Sequence, residues 1–279
     1  MEPNFATMAL PYISIVLPAY NCSNYIAKAI ESVLNQSFTD FELIVINDGS
    51  TDDTSAIIHE YDDPRVKPFD NLTNQGLVFT LNRGISLANG QYIARMDADD
   101  ICMPNRLQLQ KNWLDEHTET AVIASTICFI NDGGAKTGQW TKDQATTTFS
   151  SIKKMMVFQN CIAHPTVMLR SNIVKKYPYQ QHQLHCEDYD LWLRLLADGH
   201  RIEKIPEDLL QYRVHPTSVT GTYLRKTNPF FKQFYCKKKF LQQRINHARW
   251  GKFETLVLAG MLYDGAMGTA KALKSKLGK

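Results

Sequence analysis

Two hydrophobic patterns alternate along the first 130 residues. Short, nearly unbroken apolar runs are followed by stretches whose apolar residues recur every three or four positions. "YISIVL" at 12–17 and "FELIVI" at 41–46 are runs of the first kind, rich in β-branched residues. Such runs predict strands buried on both faces. "RVKPF" and "YIARM" predict a short third strand and a fourth. Between them, Tyr25, Ile26, Ala29, Ile30, Val33 and Leu34 fall at helical spacing, with Ser23 or Asn24 as the cap. "STDDTSAIIHEY" predicts a helix with acids in its first turn, where they suit the helix dipole. "GLVFTLNRGISLANG" predicts another, closed by Gly90.

Strands alternating with helices predict an α/β fold: an open, mostly parallel sheet covered by helices on both faces. A helix near 105–117 and a strand at 121–130 continue the pattern. Residues 131–148 are polar and Gly-rich and predict a long loop of the kind that is functional or mobile. Beyond it the alternation weakens. "DYDLWLRLLADG" at 188–199 predicts an amphipathic helix and "LLQYRV" at 209–214 a late strand.

Composition changes this picture in two places. Hydrophobic residues make up 44% and charged residues 21% of the 279, which is ordinary for a globular chain. No apolar run approaches the eighteen or so residues of a membrane span, and the N-terminal stretch has no basic leader, so a cytoplasmic location is expected. Six cysteines are scattered without a C-x-x-C pair, which predicts single thiols and no zinc site. Net charge is +3 but uneven. Residues 225–279 hold 13 Lys and Arg against two acids, a net +11; the first 224 hold 18 against 26, a net −8. A basic end on an acidic body suggests an anionic partner.

The candidate chemistry lies at strand ends, where ligands bind in open α/β sheets. Strand one ends in Pro18-Ala19-Tyr20-Asn21, strand two in Asn47-Asp48-Gly49-Ser50, and strand four in Asp97-Ala98-Asp99-Asp100. A dinucleotide site needs G-x-G-x-x-G after strand one, and that turn has no glycine. Crowded aspartates suit a divalent cation carrying a diphosphate, since Mg²⁺ and Mn²⁺ take oxygen ligands. Asp97 and Asp99 face one side of an extended chain. D-x-D alone is a short motif, and Asp188-Tyr189-Asp190 repeats it. A solvated turn with Asp100 capping the next helix is the competing reading.

Longer segments narrow the choice. "SIVLPAYN", "ESVLNQSFTDFELIVINDGSTDDT" and "NQGLVFTLNRGISLANGQYIARMDADD" together resemble glycosyltransferase family 2, whose fold is GT-A. "HPTVMLR", "CEDYDLWLRL" and "YRVHPTSVT" resemble the family's acceptor half in the same order. The resemblance runs from about residue 11 to about 220. It implies a GT-A domain over 1–224, with a nucleotide-sugar half near 11–130 and an acceptor half at 131–224. Residues 225–279 form a basic helical extension outside it.

The resemblance implies inverting transfer of a sugar from a nucleotide diphosphate sugar, a UDP-sugar first, to a hydroxyl of a glycan or lipid-linked glycan in bacterial cell-surface polysaccharide synthesis. It implies that Pro18, Ala19, Tyr20 and Asn21 line the nucleotide pocket, with Tyr20 stacked on the base. Asp48 accepts from the base, and Asn74, Gly76 and Ala98 line the same pocket. Asp97 approaches the ribose, and Asp99 ligates Mn²⁺ or Mg²⁺ with His215 as a further ligand. Asp188 is the base that takes the acceptor's proton, Glu187 contacts the acceptor, and His164 borders its cleft. Each has a plainer reading. Tyr20 is also ordinary packing, Asp48-Gly49 an ordinary turn, and Glu187-Asp188 a helix start. Arg83 and Arg95 are either phosphate ligands or surface ion pairs.

The basic end reads as a solvated helical appendage, as an interfacial anchor on anionic lipid, or as a segment docked back onto its own acidic body. No nucleic-acid module accompanies the charge. Two rival functions remain: a nucleotidyltransferase, which would want a Gly-rich basic loop that "PAYNCSN" lacks, and a non-catalytic nucleotide-sugar-binding subunit.

Overall fold

Strand β1 (Ile13–Ala19) is buried at all seven positions, and so is β2 (Phe41–Asn47). The computed structural model describes residues 10–183, 185–216 and 228–277. Alternate residues of β1 and β2 feed two cores. Ile13, Ile15, Leu17, Leu43 and Val45 pack on one face of the sheet, and Val16, Ile44 and Ile46 on the other. β1 pairs in parallel with β2 and with β4 (Tyr92–Arg95), and β2 with β3 (Val66–Asp70). The register sets Ala19 beside Asn47 and Asn47 beside Asp70, so the strand ends align. The crossovers are α1 (Ile26–Leu34), α2 (Thr54–His59) and α3 (Leu77–Leu87). Gly84 lets α3 lie close on β1, since a Cβ there would meet Val16 Cγ1 at 2.4 Å.

The remaining strands are β5 (Ile101–Cys102), β6 (Thr120–Ile130), β7 (Lys136–Gln139), β8 (Met168–Arg170) and β9 (Arg201–Arg213). The sheet order is β3-β2-β1-β4-β8-β6-β9-β5, with β7 paired to β6. The parallel half ends at β4. β8 enters antiparallel between β4 and β6, β6 runs parallel to β9, and β5 closes the edge antiparallel. The sheet is thus parallel where nucleotide chemistry was expected and mixed beyond it. The helices of this second half are α4 (Arg106–Glu116), α5 (Thr141–Gln144), α6 (Phe149–Met156), α7 (Ser171–Val174) and α8 (Glu187–Ala197).

Several local expectations change. The cap position of α1 is Tyr25, and neither Ser23 nor Asn24 supplies a side-chain cap. Asp52 and Asp53 precede α2 and do not lie in its first turn; Asp52 instead accepts from the Ser23 and Thr54 amides. Gly90 does not close α3, which ends at Ala88; a Cβ at Gly90 would lie 2.5 Å from the Ser14 nitrogen. The expected loop at 131–148 contains β7 and α5, a hairpin and a short helix.

The basic end folds as α9 (Pro229–Asn246) and α10 (Lys252–Leu277). The boundary expected at 224 lies outside the described residues. Cys236, Phe240, Leu241, Phe253 and Val257 join the core that α8 lines, so this segment is packed and is no solvated appendage. Some of its charge is spent internally: Lys237 pairs with Asp264 at 2.6 Å, and Arg244 with Asp198 and Glu254. No helix among the described residues is long and apolar enough to cross a membrane. All six cysteines are buried and unbridged.

Candidate active site

The ends of β1 and β2 are laced together. The Asp48 amide donates to Ala19 O at 2.7 Å. Asn21 adopts φ 47°, a conformation Asn tolerates better than most residues. Its Oδ1 accepts from the Thr51 amide at 2.8 Å, and its own amide donates to Ser50 Oγ. Pro18 sits in register with Ile46. Tyr20, a large ring, is left 48% exposed beside this turn.

Asp48 is buried and organises the loop before α3. Its Oδ1 accepts from the Gln75 amide at 2.9 Å and from Asn71 Nδ2 at 2.6 Å; its Oδ2 accepts from the Gly76 amide at 2.9 Å. A carboxylate has about four lone-pair positions, so one on Oδ2 remains for another donor. Gly49 is required at φ 67°, since a Cβ would meet Thr73 C at 2.5 Å. Gly76, at φ 85°, turns the chain into α3. Asn74 is exposed on this loop. Arg83 is half-buried and donates to Asp70 O and to Asn71 Oδ1.

Beyond β4, Asp97, Asp99 and Asp100 bring carboxylate oxygens within 4.8 Å of one another. Ala98 between them is buried. Arg95 is neither exposed nor on the surface; it grips both oxygens of Asp97, with Nη1 to Oδ2 at 2.7 Å. Burial pushes the Asp97 carboxyl up, Arg95 pulls it down, and the charges of Asp99 and Asp188 raise it further. Asp100 does not cap α4, whose cap position is Asn105. Its Oδ1 accepts from the Arg213 amide at 2.8 Å, and its Oδ2 is buried with no hydrogen-bond partner. Burial and the charges of Asp99 and Asp97 hold Asp100 well above the usual carboxylate range. His215 Nε2 lies 3.0 Å from Asp99 Oδ2, and its ring rests 4.9 Å from that of Tyr25. Three crowded carboxylates, one with an orphaned oxygen, and an adjacent imidazole fit a hard divalent cation.

Arg213 lies within "YRVHPTSVT", where the resemblance gives it no role. It holds Asp99 O through Nε at 2.7 Å and Asn131 O and Asp132 O through Nη1, tying the acidic turn to the hairpin of β6 and β7. Arg106 is similarly hidden. It is fully buried and donates to Arg95 O at 2.7 Å, fixing the end of β4 from below.

On the other wall, α8 opens with Cys186 as its cap residue, so Asp188 is not the cap. Asp188 Oδ2 accepts from Asn160 Nδ2 at 2.6 Å, and Oδ1 accepts from the Tyr189 amide. Burial and then the Asp188 charge raise Glu187 to about 7. The second D-x-D splits by role: Asp190 is fully buried between Arg194 and Gln183 and faces no crevice. His164, expected to border the acceptor cleft, is buried with Nε2 2.7 Å from Tyr179 OH and its ring edge-on to Trp192. Burial and the Arg95 charge hold it well below the usual imidazole value, a packing role as a neutral ring. Asn160, Gln159, Trp140, Thr141 and Gln233 of α9 line an open cleft of about 410 Å³. Buried Lys204 braces it by binding Asp143 and, at 2.8 Å, Cys161 O.

Aligned strand ends, an acidic turn and a carboxylate at the start of α8 therefore share one region. The model of the family described as "Glycosyl transferase family 2" matches residues 14–177. The chain belongs to this family.

Two relatives illustrate the range of this glycosyltransferase. It is 32% identical over 240 residues to the Escherichia coli "O-antigen biosynthesis glycosyltransferase WbnJ", covering 84% of this chain and 91% of that one. It is 30% identical over 216 residues to the Escherichia coli "UDP-Glc:alpha-D-GlcNAc-diphosphoundecaprenol beta-1,3-glucosyltransferase WfaP", covering 77% and 82%. Among solved structures it resembles Staphylococcus aureus TarS 1-349 in complex with UDP-GlcNAc (TM-score 0.71, 19% identity, 90% of this chain and 72% of that one). It also resembles the mannosyltransferase PcManGT from Pyrobaculum calidifontis in complex with GDP-Man and Mn²⁺ (TM-score 0.62, 15% identity, 95% and 76%). These likenesses establish the GT-A fold of the glycosyltransferase.

Proposed function

We propose that this glycosyltransferase moves a sugar, with inversion, from a nucleotide diphosphate sugar to a hydroxyl of a glycan or lipid-linked glycan during surface polysaccharide synthesis. The observation that carries the reading is the meeting of the Asp97–Asp100 turn with the Glu187-Asp188 end of α8, close enough for the Asp188 charge to act on Asp97. Exposed Tyr20 stacks on the base, and the remaining lone pair of Asp48 accepts from it. Asn21, Asn74 and Gly76 shape the pocket, with Pro18, Ala19 and Ala98 as its floor. Asp97, steadied by Arg95, meets the ribose. A UDP-sugar is the proposed donor, in keeping with the ligand of the TarS complex and the printed donor of WfaP.

Asp99 would hold Mn²⁺ or Mg²⁺, with His215 beside it. The bound ion would stabilise charge on the departing diphosphate as a Lewis acid. Asp188 takes the proton of the attacking hydroxyl. Burial raises its affinity for protons above that of an ordinary carboxylate, which suits that work. Asn160 holds one oxygen of Asp188 and the Tyr189 amide the other, which fixes the carboxylate at the start of α8. Glu187 contacts the acceptor. Six buried, unbridged cysteines fit a reducing, cytoplasmic setting.

The direct test is Asp188→Asn, assayed for transfer and donor hydrolysis with Mn²⁺ present. Turnover is expected to fall roughly a hundredfold or more while melting temperature and UDP affinity stay unchanged. Normal transfer by the folded variant would remove Asp188 as the base.

A further inference from the structure

α10 is apolar on two opposite sides, and only one is covered. Phe253, Val257, Gly260, Asp264 and Gly268 face inward. A Cβ at Gly260 would come within 2.1 Å of Val157 O, so the inner face is packed to contact. The outer face carries Leu256, Leu262, Tyr263, Met267 and Leu273, each between 37 and 61% exposed. Between Thr255 and Ala270 the only charged residue is Asp264, and it is buried against Lys237. A helix that is hydrophobic all round belongs in an apolar environment. An exposed stripe of this length on a globular chain marks a contact surface.

We propose that this outer face lies on an anionic membrane surface. Its ends are basic: Lys252 precedes the stripe, and exposed Lys271 and Lys274 follow it. Exposed Arg249 and Trp250 stand at the corner before α10. Apolar residues framed by lysines, with an aromatic at the margin, is the pattern of a helix lying in the interface of anionic lipid. A second copy of this chain fits less well. Parallel or antiparallel, two such stripes laid together bring lysines against lysines, with no exposed acid on the helix to pair them.

The stripe also adjoins the acceptor wall. The Phe158 ring, 51% exposed, sits 6.0 Å from that of Tyr263. Gln159 and Asn160 come next in the chain and line the cleft, and Asn160 holds Asp188. A membrane under α10 and Phe158 therefore lies beside the place where an acceptor hydroxyl must arrive. The charged tail supplies the frame of this contact, and the uncharged stripe supplies its substance. The purpose of the contact rests on the lipid-linked acceptor proposed above, but its existence does not.

The experiment is sedimentation of the full chain with vesicles of phosphatidylglycerol and phosphatidylcholine, without donor or acceptor, and with pure phosphatidylcholine as control. The chain is expected to bind the anionic vesicles and to bind the neutral ones weakly. The double substitution L256E/L262E should lower the partition onto anionic vesicles about tenfold or more, with melting temperature and UDP affinity unchanged. Equal binding by the variant overturns the proposal, as does a parent chain that ignores anionic vesicles. So does a parent chain that is dimeric by light scattering and becomes monomeric in the variant, since the stripe then covers a second copy. Transfer to a soluble acceptor that survives the loss of vesicle binding would leave the enzymatic reading standing.

Discussion

The donor-side crevice draws its walls from one stretch of chain. The turns after β1, β2 and β4 lie between residues 18 and 100, aligned by a parallel register, and the first two are joined by direct hydrogen bonds such as the Thr51 amide to Asn21 Oδ1. The acceptor-side cleft is assembled from distant pieces: Trp140 and Thr141, Asn160, the start of α8, and Gln233 of α9. Its supports are buried charges, Lys204 with Asp143 and Lys237 with Asp264 and Phe158 O. The difference suggests that the first region is a repeatable nucleotide holder and that specificity for the acceptor depends on the packing of remote helices.

Lys237→Ala gives the largest expected effect. It strands Asp264 in the core, which should cost about 3–5 kcal/mol. Thermal unfolding should show the loss, and UDP affinity of the remaining folded protein should be nearly normal. A large fall in UDP affinity with stability intact would dissolve the distinction between the two regions. Asp99→Ala should do the reverse. Calorimetry with UDP and Mn²⁺ should read a loss of roughly tenfold to a hundredfold, matched by adding EDTA to the parent chain, with little change in melting temperature. Equal UDP affinity with and without metal would refute the cation site.

The smallest effect is pH-linked. Glu187 is raised to about 7 from 4.5, so the folded state holds its proton more tightly than the unfolded chain. Its favourable contribution is complete below pH 4.5 and is lost as pH rises towards 7. Glu187→Gln should therefore gain a few degrees in melting temperature relative to the parent at pH 8 and little at pH 4. A flat difference across that range would mean that Glu187 is not held protonated by its surroundings.

The donor side was largely legible from the sequence because its determinants are local. Apolar runs of six or seven residues marked β1 and β2, and the polar residues just past them marked the site. Gly49 and Gly76 stand where positive φ is needed, although the contact between Gly49 and Thr73 was not visible in advance. Asn160, Arg213 and Lys204 carry no comparable signal. Each acts on a residue between 28 and 114 positions away, and nothing in its neighbourhood announces the partner. Charge counting left the last helices open between lipid and their own body for a related reason. It registered thirteen basic residues and not that Lys237 and Arg244 are neutralised inside the fold.

The contact of Gly260 with Val157 O has a bearing on the order in which the enzyme is born. Translation releases the β1–β4 turns early, when α10 is still unmade. The packing of the segment from Val157 to Asn160 is completed only once α10 has emerged, and Asp188 is held by Asn160. On the proposed mechanism, a growing chain thus completes its nucleotide-holding turns before Asn160 and Asp188 are fully seated.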